Sequence, residues 1–182
     1  MIRIDIGSVL RHSANLPYAD LVTRSTGAAV RRCIEAELAT LADDDIATLD
    51  FTHIGMMDYS CADEVVAKLL LDLARRGARP GGLVFHGITD AHLEAIEDVL
   101  VHHGLALVVH FADGAARLVG AVSADERRIW ELVHARGASQ VEDLAVAADR
   151  AAEEMLAVLD ALIERRLLRR DGPSFAPIGV VS

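Results

Sequence analysis

Lysine occurs once, at Lys68, in a chain of 182 residues whose other basic side chains are all arginine. Against 18 basic residues stand 28 acidic ones, a formal charge of -10. That balance excludes a protein that coats nucleic acid or anionic lipid non-specifically, because either role rests on a basic field. Any DNA contact has to be local. Cysteine is scarce as well. Cys33 and Cys61 each sit inside an apolar stretch and read as buried thiols of a reducing compartment, with no disulfide framework. No apolar run reaches the length of a membrane span. Met1-Ile2-Arg3-Ile4-Asp5 alternates like a strand and lacks the continuous apolar stretch of a signal peptide. The cytoplasm is therefore the expected location, with no membrane partner. The bias to arginine and alanine reflects a GC-rich genome and carries no functional reading.

Several kinds of site chemistry are missing too. Eight histidines are present, His102-His103 being the densest group, but none has the His-x-x-x-His spacing with a flanking carboxylate that marks a metal site. Neither cysteine has a Cys-x-x-Cys partner, no glycine-rich phosphate loop occurs, and Gly81-Gly82 merely precedes a strand. A nucleophile elbow would have to use Ser60 or Cys61 with His53, and no glycine flanks them. No metal, no cofactor and no enzymatic activity are expected.

What is there is ample apolar content, 52%, enough for one medium domain or two small ones. Residues 1 to 10 read as a strand, followed by the turn-rich Arg11 to Pro17 and a resumed extended segment from Tyr18 to Thr23. Ser25 can cap a helix over residues 26 to 41, where Val30, Ile34, Leu38 and Leu41 recur every three or four positions. Ile46 to Thr52 is a buried strand. A short connection leads to a helix striped by Val65, Val66, Leu69, Leu70 and Leu73 and ending near Gly77. Gly82 to Ile88 is a strand, Asp90 to His103 a helix stopped by Gly104, and Leu105 to Phe111 a strand. Asp113-Gly114 signals a hairpin, so Arg117 to Val122 should pair antiparallel with it. Strands alternating with helices imply an α/β sandwich with a mixed, largely parallel sheet over residues 1–122. From 123 to 182 the pattern becomes three helices, the second capped by Ser139, and an Asp171-Gly172 hairpin, an α+β unit.

The stretch Leu49-Asp50-Phe51-Thr52-His53-Ile54-Gly55-Met56-Met57-Asp58-Tyr59-Ser60-Cys61-Ala62-Asp63-Glu64 resembles the central signature of STAS domains, the anti-sigma factor antagonists and their relatives. There a strand ending in Leu-Asp-Phe leads through a loop to Asp-Ser-Ser/Thr-Gly at the mouth of the next helix. The resemblance aligns Asp58 with the family aspartate and Ser60 with the serine phosphorylated by an anti-sigma kinase, while Tyr59 replaces a small residue and Cys61 the glycine. It implies a phosphoacceptor and partner-binding surface made of Asp58, Tyr59, Ser60, Cys61, Asp63 and Glu64. Cys61-Ala62-Asp63-Glu64 is also similar to the Phe-Ala-Asp-Glu of a divergent STAS-like group, in which an Arg-Ser pair such as Arg24-Ser25 precedes the first helix and the acceptor serine is generally absent. Ser60 with Asp63 equally fits a capping box, a role compatible with phosphorylation.

The second half resembles the winged helix-turn-helix of bacterial transcription regulators, with 139–148 and 151–166 as the motif's two helices. Arg150, Arg165, Arg166, Arg169 and Arg170 are the candidate DNA contacts, through phosphates. The leading turn of the recognition position, Ala151-Ala152-Glu153-Glu154, lacks the Arg, Lys, Asn or Gln of direct readout. Residues 123–182 hold 8 Arg against 11 acids. The expectation is a non-enzymatic regulatory protein whose STAS-like domain receives a signal and whose winged helix docks a partner protein or DNA, in anti-sigma-type or transcriptional control. An anti-sigma or kinase-like regulatory protein is the expected partner, and self-association into a homodimer is compatible with it. The alternative is a sequence-specific DNA-binding transcriptional regulator whose STAS-like half senses a ligand or dimerises.

Overall fold

A computed structural model describes residues 2–14, 19–42, 45–76, 81–111 and 113–179. The chain divides into two compact units, 1–121 and 122–182. The first is α/β: β1 (Ile2–Asp5), α1 (Ile6–Ala14), α2 (Arg24–Leu38), β2 (Ile46–Asp50), α3 (Tyr59–Ala62), a π-helical stretch (Asp63–Lys68) running without a break into α4 (Leu69–Arg76), β3 (Gly82–Ile88), α5 (Asp90–His102), β4 (Ala106–Phe111) and β5 (Ala116–Gly120). The five strands form one mixed, mostly parallel sheet in the order β1-β2-β3-β4-β5, with only β5 antiparallel to its neighbour.

Sequential parallel strands joined by right-handed crossovers carry their helices on one face. The side chains follow that logic. Ile4, Leu49, Phe85 and Val109 are register partners on consecutive strands and all lie in the hydrophobic core. Asp50 and His86 are also register partners and, one residue on, face the opposite way. Phe51 and Phe85 stack with ring centroids 5.0 Å apart. Two close approaches need glycine. Gly27 brings α2 against α3, since a Cβ there would meet Glu64 Cβ at 3.0 Å and Cys61 Cα at 3.1 Å. Gly87, at φ +70 where β3 and β4 lose register, lies on Thr52, two residues past the end of β2: a Cβ would meet the Thr52 nitrogen at 2.6 Å.

The strand expected over residues 1 to 10 stops at Asp5, and a helix follows. Asp5 Oδ1 accepts the Ser8 N–H at 3.2 Å, and Ile6, Val9 and Leu10 bury at helical spacing, so the cap and the 3.6 period override the alternation of Ile2, Ile4 and Ile6. Helix α2 starts two residues before its expected start and is capped by Thr23, not Ser25: Thr23 Oγ1 accepts the Thr26 N–H. The extended segment expected up to Thr23 reduces to one parallel bridge, Leu21 with Met57. Asn15 to Tyr18 and Gly77 lie outside the described residues.

The second unit runs α6 (Ala124–Arg136), α7 (Val141–Ala148), α8 (Ala152–Glu164), β6 (Leu168–Asp171) and β7 (Ser174–Pro177), the two strands forming an antiparallel hairpin. Ser123 and Glu126 make a reciprocal capping box on α6. Trp130, like Met155, Leu159, Leu162 and Phe175 of this unit, is buried; its ring stacks on His134 and its indole N–H donates to Leu167 O at 3.1 Å, so burying the ring leaves no polar atom unpaired. Ser139 does not cap α7. Its backbone pairs with Phe175 in both directions, its hydroxyl donates to Gly137 O, and Gln140 takes the N-cap position without a side-chain bond. Among the described residues no helix is long and apolar enough to cross a membrane.

Gly87→Ala combines positive φ with a backbone clash, and is expected to lower stability by more than about 2 kcal/mol in denaturant unfolding. Gly104→Ala, with positive φ and open space around the Cβ position, is the milder control.

Candidate functional site

The chain leaves β2 at Asp50 and reaches α3 through a loop that is stitched down along its length. Gly55 N–H donates to Ala19 O at 2.9 Å, Leu21 N–H to Met56 O at 2.8 Å, and Asp58 N–H to Leu21 O at 3.1 Å. Met56 N–H donates to Asp20 Oδ1 at 2.9 Å. From the other side His92, fully buried at the start of α5, donates from Nε2 to Gly55 O at 3.0 Å. Its Nδ1 accepts the Thr89 N–H at 3.3 Å, so both ring nitrogens are occupied only if His92 is neutral with its proton on Nε2.

This loop delivers Asp58, whose carboxylate is shared by two helices. As N-cap of α3 its Oδ1 accepts the Cys61 N–H at 2.7 Å and the Ser60 hydroxyl at 2.9 Å. Its Oδ2 accepts the N–H of Thr23, the N-cap of α2, at 3.2 Å. The Cys61 thiol completes the joint by donating to Thr23 O at 2.9 Å. The cap is thus Asp58, and Ser60 binds the cap instead of serving as it. Burial alone would raise the Asp58 carboxyl, but the bonds from Cys61, Thr23 and Ser60 outweigh it and hold the group below its ordinary value. Cys61 goes the other way: burial first, then the Asp58 and Glu64 charges, push its thiol up to about 12. It stays a protonated donor at neutral pH, unsuited to nucleophilic attack.

One turn further on, α3 passes into the π-helical stretch, where Asp63 and Glu64 face a set of cations. Arg24 donates to Asp63 at 2.7 Å and to Glu64 at 3.1 Å. Lys68 pairs with Glu64, and Arg31 Nε lies 3.5 Å from Glu64 Oε2. His103, closing α5, donates from Nε2 to Asp63 Oδ1 at 2.9 Å. Burial works to raise both carboxyls, and is outweighed at Glu64 by Lys68 and Arg24 and at Asp63 by Arg24 and His103, so both titrate low. The Arg-Ser and Ala-Asp-Glu pieces picked out in the sequence are therefore the two ends of one ion-pair cluster. A further carboxylate, Asp50, is 5% exposed; it accepts Arg3 Nη2 at 2.6 Å and the Thr52 hydroxyl at 2.6 Å and lies 3.3 Å from His86 Nδ1.

Of the six candidates in the first unit, Asp58, Ser60 and Cys61 meet in the shared cap, and Asp63 and Glu64 meet in the ion cluster. Tyr59, 45% exposed, instead stands outward with Met56, 61% exposed. Thr23, Arg24, Arg31, Lys68, His92 and His103 were not anticipated as site residues. Two of them had a readable signal, Arg24 as half of the Arg-Ser pair and Thr23 as a threonine just ahead of the α2 stripe. Cys33, expected buried, is only partly so. A cleft of about 330 Å³ on this unit is lined by Arg3, Asp5, Ser8, His12, Cys33 and Glu37 and involves neither Cys61 nor His53. Among the described residues no group of three or more His, Cys, Asp or Glu is arranged to hold a metal ion.

Four of the five arginine candidates of the second unit, Arg150, Arg165, Arg169 and Arg170, are engaged with its own acids. Arg150 forks onto Asp125 at 2.8 and 2.6 Å, and Arg165 donates to Glu126 at 2.9 Å. Arg170 donates to Asp160 at 2.7 Å while its guanidinium lies 4.5 Å from the Phe175 ring centroid, and Arg169 is 3.7 Å from Asp171. Arg166 turns the chain out of α8 at φ 59. No protein-family model matches the chain, and no curated protein matches it.

Asp58→Ala strips the cap from α3 and leaves the Thr23 and Cys61 amides without their acceptor. A loss of about 1–3 kcal/mol is expected in urea unfolding, with Asp58→Asn losing less. Carboxyls that titrate low when folded stabilise fully above their ordinary values, 3.8 for Asp58 and 4.5 for Glu64, and lose that contribution as pH falls through and below them. Stability should thus decline below about pH 4.5, with a smaller decline in Asp58→Asn, as unfolding curves across pH would record.

Proposed function

We propose that this is a cytoplasmic regulatory protein that works by binding: a STAS-like first unit receives a signal from an anti-sigma or kinase-like protein at the mouth of α3, and a winged-helix second unit docks a partner. The observation that carries the reading is the Ser60 hydroxyl on Asp58 Oδ1, 2.9 Å away. One modifiable oxygen touches the carboxylate that caps α3 and also accepts the amide of Thr23, the cap of α2. A phosphate adds about -1.5 to -2 charges, and on Ser60 it would oppose Asp58 at hydrogen-bond distance. The helix N-terminus favours the new charge, so the phosphate competes with Asp58 for the same amides. Phosphorylation then acts as a switch on the cap, and Tyr59 and Met56, exposed beside it, supply apolar area for the partner that reads it.

Turnover through Cys61 has less support, since its thiol is buried and stays protonated at neutral pH. DNA binding by the second unit is the competing reading. Its helix-helix-helix-hairpin order suits that role, but Arg150, Arg165 and Arg170 are already bound to carboxylates.

A photocrosslinking residue in place of Tyr59 should capture a discrete protein in native cells. Phosphoserine at position 60 should change that capture at least about tenfold, and Ser60→Ala should abolish the change while Ser25→Ala leaves it intact. Retardation of promoter DNA at low salt that is abolished by charge reversal at Arg165 and Arg166, with no crosslinked protein, would falsify the docking reading in favour of the DNA-binding regulator.

A further inference from the structure

We infer that the outer face of α7 and α8 docks a basic, apolar-anchored helical segment of a partner protein; this rests on the docking role proposed for the second unit and names the chemistry of what docks. Residues 141–164 contain seven acids and a single base, Arg150, which is turned onto Asp125. Helix α8 holds no Lys, Arg, Asn or Gln. Its inward stripe, Met155, Leu159 and Leu162, is buried in the unit's core. Off that stripe, Glu153, Leu156, Ala157 and Asp160 fall at i, i+3, i+4 and i+7 and are exposed. Val146 of α7, 83% exposed, is the most exposed large apolar side chain among the described residues, and Leu156 is 37% exposed.

The charges around those apolar groups are mostly uncompensated. Asp160 is met by Arg170, whereas Glu142, Asp143 and Glu153 have no ion pair among the described residues. Val146 stands one turn from Glu142, and Leu156 one turn from Glu153 and Asp160; exposed apolar groups flanked by carboxylates are complementary to apolar anchors rimmed by Arg or Lys. DNA is the wrong occupant for this face, because phosphates would meet carboxylates. A second copy joined through the same face would oppose acid to acid, since a two-fold interface sets like patches together.

The test uses the full chain labelled with ¹⁵N and three synthetic helical peptides: leucines one turn apart rimmed by arginine, the same leucines rimmed by glutamate, and the arginines without leucine. The first should shift the amides of Val146, Glu153, Leu156 and Ala157. Leu156→Ser and Glu153→Lys, both at exposed positions, should each weaken it about tenfold, and removing the peptide leucines should do the same. The glutamate peptide should not bind. The inference is overturned if the leucine-free peptide binds equally well, if the shifts map away from α7 and α8, or if no peptide binds. A partner that crosslinks through Tyr59 but meets the second unit elsewhere overturns this surface and leaves the docking role standing. Retarded DNA with no peptide binding overturns both.

Discussion

The Asp58 carboxylate caps α3 and also binds the cap of α2, so it ties together the heads of two helices of the first unit. An N-cap normally satisfies the orphan amides of a single helix. Here one oxygen serves α3 through the Cys61 amide while the other reaches the amide of Thr23, which itself caps α2. The joint is possible because Gly27 lets the helices approach within the reach of a two-carbon side chain. It is held in place by a loop whose backbone is bonded to 19–21 on one side and to His92 on the other. Without those restraints the aspartate would cap α3 alone.

Beyond the cap, the same pair of helices is joined by charge. Arg24 and Arg31 of α2 meet Asp63 and Glu64 in the π-helical stretch, Lys68 pairs with Glu64 from within it, and His103 bonds Asp63 from the end of α5. Buried carboxylates of this kind contribute only when every partner is present, because each ion left unpaired costs several kcal/mol to keep out of water. The wide turn of a π-helix is an energetically poor geometry that persists where side chains hold it. Cap and cluster lie within one turn of each other, so a change at Ser60 acts on a joint whose neighbours are already tightly constrained.

How much of this was legible in the sequence depended on range. Strand β3 matched its expected bounds at Gly82 and Ile88, and the Asp113-Gly114 hairpin paired as read, because these are local signals of apolar runs and turn residues. Helix α1 was hidden by overlap: Ile2, Ile4 and Ile6 alternate while Ile6, Val9 and Leu10 follow a helical period, and only the Asp5 cap decides between them. At the site, Asp58 and Ser60 are both good capping residues two positions apart, and local pattern does not say which side chain meets the amide. Arg24 with Asp63 and His92 with Gly55 are separated by more than thirty positions in the chain, so no periodicity announces them. In the second unit the arginines were countable but their engagement with Asp125, Glu126 and Asp160 was not, since ion pairing depends on how the helices and hairpin fold back.

The central claim is that a phosphate on Ser60 frees the Asp58 carboxylate both from the α3 amide that it caps and from the amide of Thr23, the cap of α2. Amide hydrogen exchange on the chain carrying phosphoserine at position 60 tests it most directly. The account requires the Thr23 and Cys61 amides to lose protection together while those of β2 keep theirs. Unchanged protection at both, or loss at Cys61 with Thr23 untouched, would contradict it.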